Sequence, residues 1–299
     1  MTRRNKRKLS HFPNCEYSPK VAASGGGKGR PLLLPFLLVP AAMPAPEPVI
    51  LFLHGFAESR EVWTDFTRPF PAGYRLLMPN LLGHGTNRAA VPDFSMEAQA
   101  RYVVSYLDQK GCPGPVLVVG HSMGGYVALA LAERYPDRVA GLALINSTAH
   151  ADTDEKRQNR EKNISFVERH GLDKFMASFV RPLFAPSNRD RLPEALALLE
   201  DIGKATPEAT IAGALRAMAA RPDRTAVLRA AKFAVLLVAG KHDVAVPLAD
   251  SVAQAALPPI GGALFLESSG HQAYLEQPEA TRRAVLALAG AVFEGVGNS

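Results

Sequence analysis

The stretch Val116–Gly125, read Val-Leu-Val-Val-Gly-His-Ser-Met-Gly-Gly, constrains this chain more than any other. An unbroken apolar run leads into Gly120-His121-Ser122-Met123-Gly124, and a helical pattern with Val127 and Leu131 follows, stopped by Pro136. Gly-x-Ser-x-Gly between a strand and a helix makes a very tight turn. The serine takes a strained backbone, and the flanking glycines remove side chains that would collide with strand and helix. Such a turn stands Ser122 Oγ at the top of a sheet, at the positive end of the helix that begins at Met123.

Other apolar runs occur at Val49–Leu53, Arg75–Met78, Leu142–Ile145, Val235–Val238 and Ala263–Leu266. Each is apolar almost throughout, as strands covered on both faces of a parallel sheet are. Helical patterns lie between them at Met96–Gln109, Met123–Tyr135, Leu248–Ala256 and Pro278–Phe293, the last opened by its proline. The alternation predicts an α/β fold with a mostly parallel, doubly wound sheet. It stops between about His150 and Arg224. There, helical stretches follow one another at Thr153–His170, Phe175–Phe184, Arg191–Ile202 and Glu208–Met218. The expected organisation is a core of residues 49–149 and 225–296 with a helical insertion at 150–224. An insertion so placed sits near the carboxyl ends of the strands, where such sheets bind ligands, and is read as a cap or lid.

A serine hydroxyl is a poor nucleophile at neutral pH and needs a base, itself oriented by an acid. Of eight histidines, His11 lies in the tail, and His150 and His170 fall in the insertion. His54 and His84 sit in glycine-flanked turns, while His121 adjoins the serine and points elsewhere. His242 adjoins Asp243. His271, in Ser268-Ser269-Gly270-His271-Gln272, follows the last strand and lies downstream of a good acid, Asp243, itself just past the strand Val235–Val238. Asp250 is the fallback acid. The order Ser122, Asp243, His271 is that of hydrolases with a nucleophile elbow. Negative charge developing on a substrate oxygen needs main-chain donors. Met123 N–H is one candidate, and Phe56 N–H, in His54-Gly55-Phe56 after the first strand, is the other.

The segments LHGF (53–56), GHSMGG (120–125), AGKHD (239–243) and SGH (269–271) resemble the α/β-hydrolase superfamily, in the branch of small capped esterases, lactonases and thioesterase-like enzymes. The resemblance runs over about residues 49–294. It implies Ser122 as nucleophile, His271 as base, Asp243 as orienting acid, and Phe56 and Met123 as oxyanion donors. It also implies a cap inserted after the sixth strand of the family's sheet, no cofactor and no metal. Two departures stand out. Asn80 occupies a position where relatives commonly have aspartate, and only Leu32–Val39 is available for the two strands that normally precede the one at Val49.

Serine at the elbow implies acyl transfer and excludes the epoxide and carbon–halogen chemistry of relatives that place aspartate there. Relatives that hydrolyse carbon–carbon bonds of ring-cleavage products often have asparagine before the nucleophile, whereas this chain has His121. The expected substrate is therefore a small-molecule carboxylic ester, lactone or thioester. A carbon–carbon hydrolase and a non-catalytic small-ligand receptor are the alternatives. Arg157, Arg160 and Lys162 in the insertion either meet a substrate carboxylate or phosphate or form a solvated face with Glu155 and Glu161, the simpler reading. Phe175, Met176, Phe179 and Phe184 suit an acyl pocket or a core equally well, as do Trp63, Phe66 and Phe70.

Charge bears on partners. The formal net charge of +6 is concentrated in the first 30 residues, which hold eight Lys and Arg against Glu16 alone. The rest is close to neutral and gives no electrostatic footprint for nucleic acid. Residues 1–48 read as a basic, disordered tail. Residues 28–45 imitate a signal peptide, but a long charged lead-in and two prolines argue against it. Eight apolar residues are too few to cross a membrane, which needs about 20 in a helix. Two cysteines, one in the tail, exclude a disulfide scaffold and favour the reducing cytoplasm.

Overall fold

A computed structural model describes residues 47–88 and 91–294. The basic segment, the signal-like stretch 28–45 and the expected strand at Leu32–Val39 lie outside them.

Six strands make one sheet: β1 (Val49–Leu53), β2 (Arg75–Leu77), β3 (Val116–His121), β4 (Val139–Ile145), β5 (Ala234–Gly240) and β6 (Gly261–Leu266). Their order across the sheet is β2-β1-β3-β4-β5-β6, and every neighbouring pair is parallel. The sheet is thus wholly parallel among the described residues. β1 and β3 are buried at every position, which is why both read as unbroken apolar runs.

Among the described residues ten α-helices accompany the sheet. They are α1 (Thr64–Thr67), α2 (Met96–Gln109), α3 (Met123–Arg134), α4 (Asp154–Leu183), α5 (Pro193–Lys204), α6 (Glu208–Ala220), α7 (Thr225–Arg229), α8 (Leu248–Ala255), α9 (Ala273–Glu276) and α10 (Pro278–Phe293). Among the described residues no helix is long and apolar enough to cross a membrane.

The helical insertion leaves the sheet after β4, which is the sixth strand only by a count that places two before Val49. Its first two predicted stretches form the single element α4, broken where Gly171 leaves helical geometry at φ 77°. Ion pairs close the neck where the insertion joins the core. Asp152, at its entry, meets Arg160 and Arg221, the latter at its exit at 2.6 Å. Arg224 then binds the Ala149 carbonyl, Glu133 of α3 and Glu97 of α2.

The chain steps from β1 outward to β2, then crosses back to place β3 on the other side of β1. Ligands of open parallel sheets bind at such a reversal, outside the carboxyl ends of the strands. Register brings those ends level: Leu53 pairs with Gly120, His121 with Ile145, Ile145 with Val238, and Gly240 with Leu266. The loops leaving β1, β3, β4, β5 and β6 therefore start side by side.

Candidate active site

Ser122 follows β3 and precedes α3 with φ 48° and ψ −115°, a conformation that costs a non-glycine residue roughly 1–3 kcal/mol. Close packing enforces the turn. A Cβ on Gly124 would lie 2.2 Å from the Leu53 carbonyl oxygen, and one on Gly120 would lie 2.6 Å from that of Gly124. The three non-glycine residues with positive φ among the described residues are Ala57, Ser122 and Asn146. All three lie in loops at this rim of the sheet, after β1, β3 and β4.

The structure brings three of the predicted residues into one hydrogen-bonded chain. Ser122 Oγ lies 2.9 Å from His271 Nε2, and His271 Nδ1 lies 2.9 and 2.8 Å from the two carboxylate oxygens of Asp243. With Nδ1 donating to the carboxylate, Nε2 is free to accept the serine proton. Asp243 is 7% exposed. Burial pushes its carboxyl up, but the His271 charge and hydrogen bonds from His271, the Val246 N–H and Asn146 outweigh that and hold it below the usual carboxylate range. The other residues weighed as base or acid lie elsewhere. Asp250 is half exposed on α8, 3.9 Å from Lys156. His150 faces Asp223, and His170 packs on Phe166. His54 and His84 are fully buried, and burial lowers both, His84 to about 3.

Phe56 and Met123 follow the ends of β1 and β3, which pair at Leu53 and Gly120. The Phe56 ring meets Phe179 of α4 edge-on at 5.6 Å, and Phe179 stacks on Phe175 at 5.1 Å. The insertion therefore rests on the loop after β1. Of its four predicted pocket residues, Phe175, Met176 and Phe184 are buried and only Phe179 is half exposed. Trp63, Phe66 and Phe70 pack against Phe52 as core. Arg160 is spent on Asp152, whereas Arg157 and Lys162 line an open groove with Glu161 and Arg216. Asn80 is structural: its oxygen accepts the Arg60 N–H at 2.7 Å, and its amide donates to Thr86 at 3.1 Å.

Three further polar residues organise these loops and were missed in the sequence. Asn146 donates to Asp243 Oδ2 at 2.9 Å and to the Gly270 carbonyl at 3.0 Å, and accepts the Ala273 N–H at 3.2 Å. Glu276 accepts from Gly270 N–H and Ala185 N–H, each at 2.8 Å. Glu58 bonds Gly55 N–H at 2.7 Å and His121 at 3.2 Å. Asn146 carried one legible signal, an asparagine directly after a strand, where αL geometry is tolerated. Nothing in chain order marks the other two.

The family model described as alpha/beta hydrolase fold matches residues 48–277. A pimeloyl-[acyl-carrier protein] methyl ester esterase of Aromatoleum aromaticum is 30% identical over 250 residues, which cover 78% of this chain and 94% of that protein. A thermophilic esterase of Thermogutta terrifontis, solved with malate bound, superposes with a TM-score of 0.76 at 30% identity, covering 80% of this chain and 88% of that one. Likeness to Lipase LipV of Mycobacterium tuberculosis is local, 37% identity over 109 residues and 36% of this chain. The chain spans 41% of the length of that lipase and 37% of monoacylglycerol lipase ABHD6 of Bos taurus.

Proposed function

The chain belongs to the α/β-hydrolase fold family, and from that premise we propose that it is a serine hydrolase cleaving a carboxylic ester, lactone or thioester of a small molecule. The observation that carries the reading is the continuous hydrogen-bonded chain from Ser122 Oγ through His271 to Asp243. Relatives and structures named as esterases, matched over most of both chains, support the ester class.

In this mechanism His271 Nε2 takes the Ser122 proton as Oγ attacks the acyl carbon. The tetrahedral oxyanion accepts hydrogen bonds from Phe56 and Met123 N–H, and His271 then protonates the departing alcohol or thiol. Water, activated by His271, releases the acid from the acyl-enzyme. Asp243 holds the imidazole in the tautomer this requires and stabilises the imidazolium that forms. Residues 150–224 act as the cap, with Phe179 beside the proposed oxyanion loop.

A turnover panel tests the assignment: aryl esters of graded acyl length, lactones, acyl thioesters and a ring-cleavage dienone. Multiple turnovers on esters, lactones or thioesters are expected. Turnover of the dienone alone would make the protein a carbon–carbon hydrolase. Tight binding of one ligand without multiple turnover would make it a receptor.

A further inference from the structure

We propose that Glu58 and His121 form a buried ion pair that positions both halves of the reaction centre at once, the loop of Phe56 through Gly55 and the loop of His271 through its main-chain carbonyl. The inference rests on the serine-hydrolase reading above. Neither side chain touches Ser122 Oγ, so both are positioning residues.

The bonding pattern fits an ion pair. His121 Nδ1 lies 3.2 Å from Glu58 Oε2, and His121 Nε2 lies 2.9 Å from the His271 carbonyl oxygen. Glu58 Oε2 also accepts the Gly55 N–H at 2.7 Å, and Oε1 faces the Gln272 amide at 3.4 Å. A carbonyl and an ionised carboxylate only accept hydrogen bonds, so an imidazole between them carries a proton on each nitrogen and is an imidazolium. The side chains are 1% and 5% exposed, out of reach of salt screening. Burial opposes ionisation of both. The attraction between them overrides it, holding Glu58 at about 2 and raising His121 above the ordinary histidine range.

The groups facing His121 leave Glu58 as the partner that sets this charge. Asp243, beyond β5, adds a weaker negative field. The His271 ring lies 5.1 Å away and the Tyr274 ring of α9 4.9 Å away. His54 is neutral, since its Nε2 accepts the Leu81 N–H at 3.0 Å while Nδ1 donates to the Gly55 carbonyl. Loss of the His121 proton therefore leaves one of its two acceptors unpaired in a dry site, and the His271 loop or the Phe56 loop loses its tie.

The test is kcat/KM of the full chain against pH on an ester it turns over. The wild type is expected to give a bell whose alkaline limb falls as His121 loses its proton. Glu58→Gln keeps the shape and an acceptor for Gly55 but removes the charge. It is expected to move the alkaline limb down by about one unit or more, leave the acid limb in place, and lower kcat by about 10² with little change in KM. His121→Gln keeps a donor for the His271 carbonyl and is expected to abolish the alkaline limb. An alkaline limb unmoved in Glu58→Gln, or retained in His121→Gln, overturns the proposal. Should either variant fold poorly, ¹⁵N-histidine spectra of the wild type at about pH 7.5 should still show a ring protonated on both nitrogens, and its absence overturns the proposal equally. Fluorophosphonate labelling of Ser122 separates the two failures. A labelled protein with an unmoved limb keeps the hydrolase reading and loses the ion-pair role, whereas an unlabelled, inactive wild type loses both.

Discussion

Asn146 donates its side-chain amide to Asp243 Oδ2 at 2.9 Å from a backbone held at φ 48°. One residue thus supplies an unusual turn after β4 and a donor for the carboxylate behind His271. Asn146→Ala should lower kcat about tenfold or more through a loosened Asp243 and should also destabilise, because alanine resists that angle. Asn146→Gly tolerates the angle without the amide. It should lose less melting temperature than the alanine variant and still lose turnover; full activity in the glycine variant would assign the whole effect to the backbone.

Ser122→Ala should abolish fluorophosphonate labelling and reduce turnover by about 10⁴ or more, as removal of a serine nucleophile does. Mass spectrometry of the labelled protein reads the first and steady-state kinetics the second. Labelling retained in the variant would move the nucleophile elsewhere.

The Asp243 carboxyl titrates below its unfolded value. Its ionisation therefore contributes stability that is complete above about pH 4 and lost as pH falls through the lower folded value. Asp243→Asn should flatten acid unfolding in that range while cutting kcat by about 10⁴. Urea midpoints between pH 2 and 7, set beside kcat, measure both. A loss of turnover no larger than the loss of stability predicts would make the residue purely structural.

Glu276 divides its two oxygens between the insertion and the loop of His271. Oε2 accepts from Ala185 N–H and the Asn188 amide, each at 2.8 Å, and Oε1 accepts from Gly270 N–H at 2.8 Å and Gln272 N–H at 3.2 Å. The His271 N–H itself donates to Leu183 at 2.7 Å. Glu276→Gln sets an amide donor against one pair of N–H groups and should cost about 1–3 kcal/mol. Hydrogen exchange should then quicken in residues 183–188 and 268–272 together. Faster exchange in only one of the two segments would show that Glu276 does not join them.

The fold was legible because parallel strands buried on both faces leave unbroken apolar runs. Val116–Val119, Val235–Val238 and the helix Pro278–Phe293 were readable for that reason and by proline at the helix start. Ser122 was legible because its turn demands glycine on both sides within five residues. Asp243 and His271 followed from their places after strands, before any distance was known. Gly171, which leaves helical geometry at φ 77°, marks the kink between the stretches read at Thr153–His170 and Phe175–Phe184.

What lay outside sequence reasoning was how buried polar groups tie together loops far apart in the chain. Whether Phe179 serves the core or the site depended on where α4 crosses the loop after β1, and Arg160 was claimed by Asp152 only once the neck had closed. Glu58 and Glu276 are ordinary carboxylates in sequence. They bind main-chain N–H groups, which every loop residue except proline carries and which leave no compositional trace. Chain order alone determined the sheet, the strained serine turn and the succession Ser122, Asp243, His271. Strand register alone decided which loops meet and which buried polar groups hold them, because a hydrogen bond depends on position in space and a motif only on position in the chain.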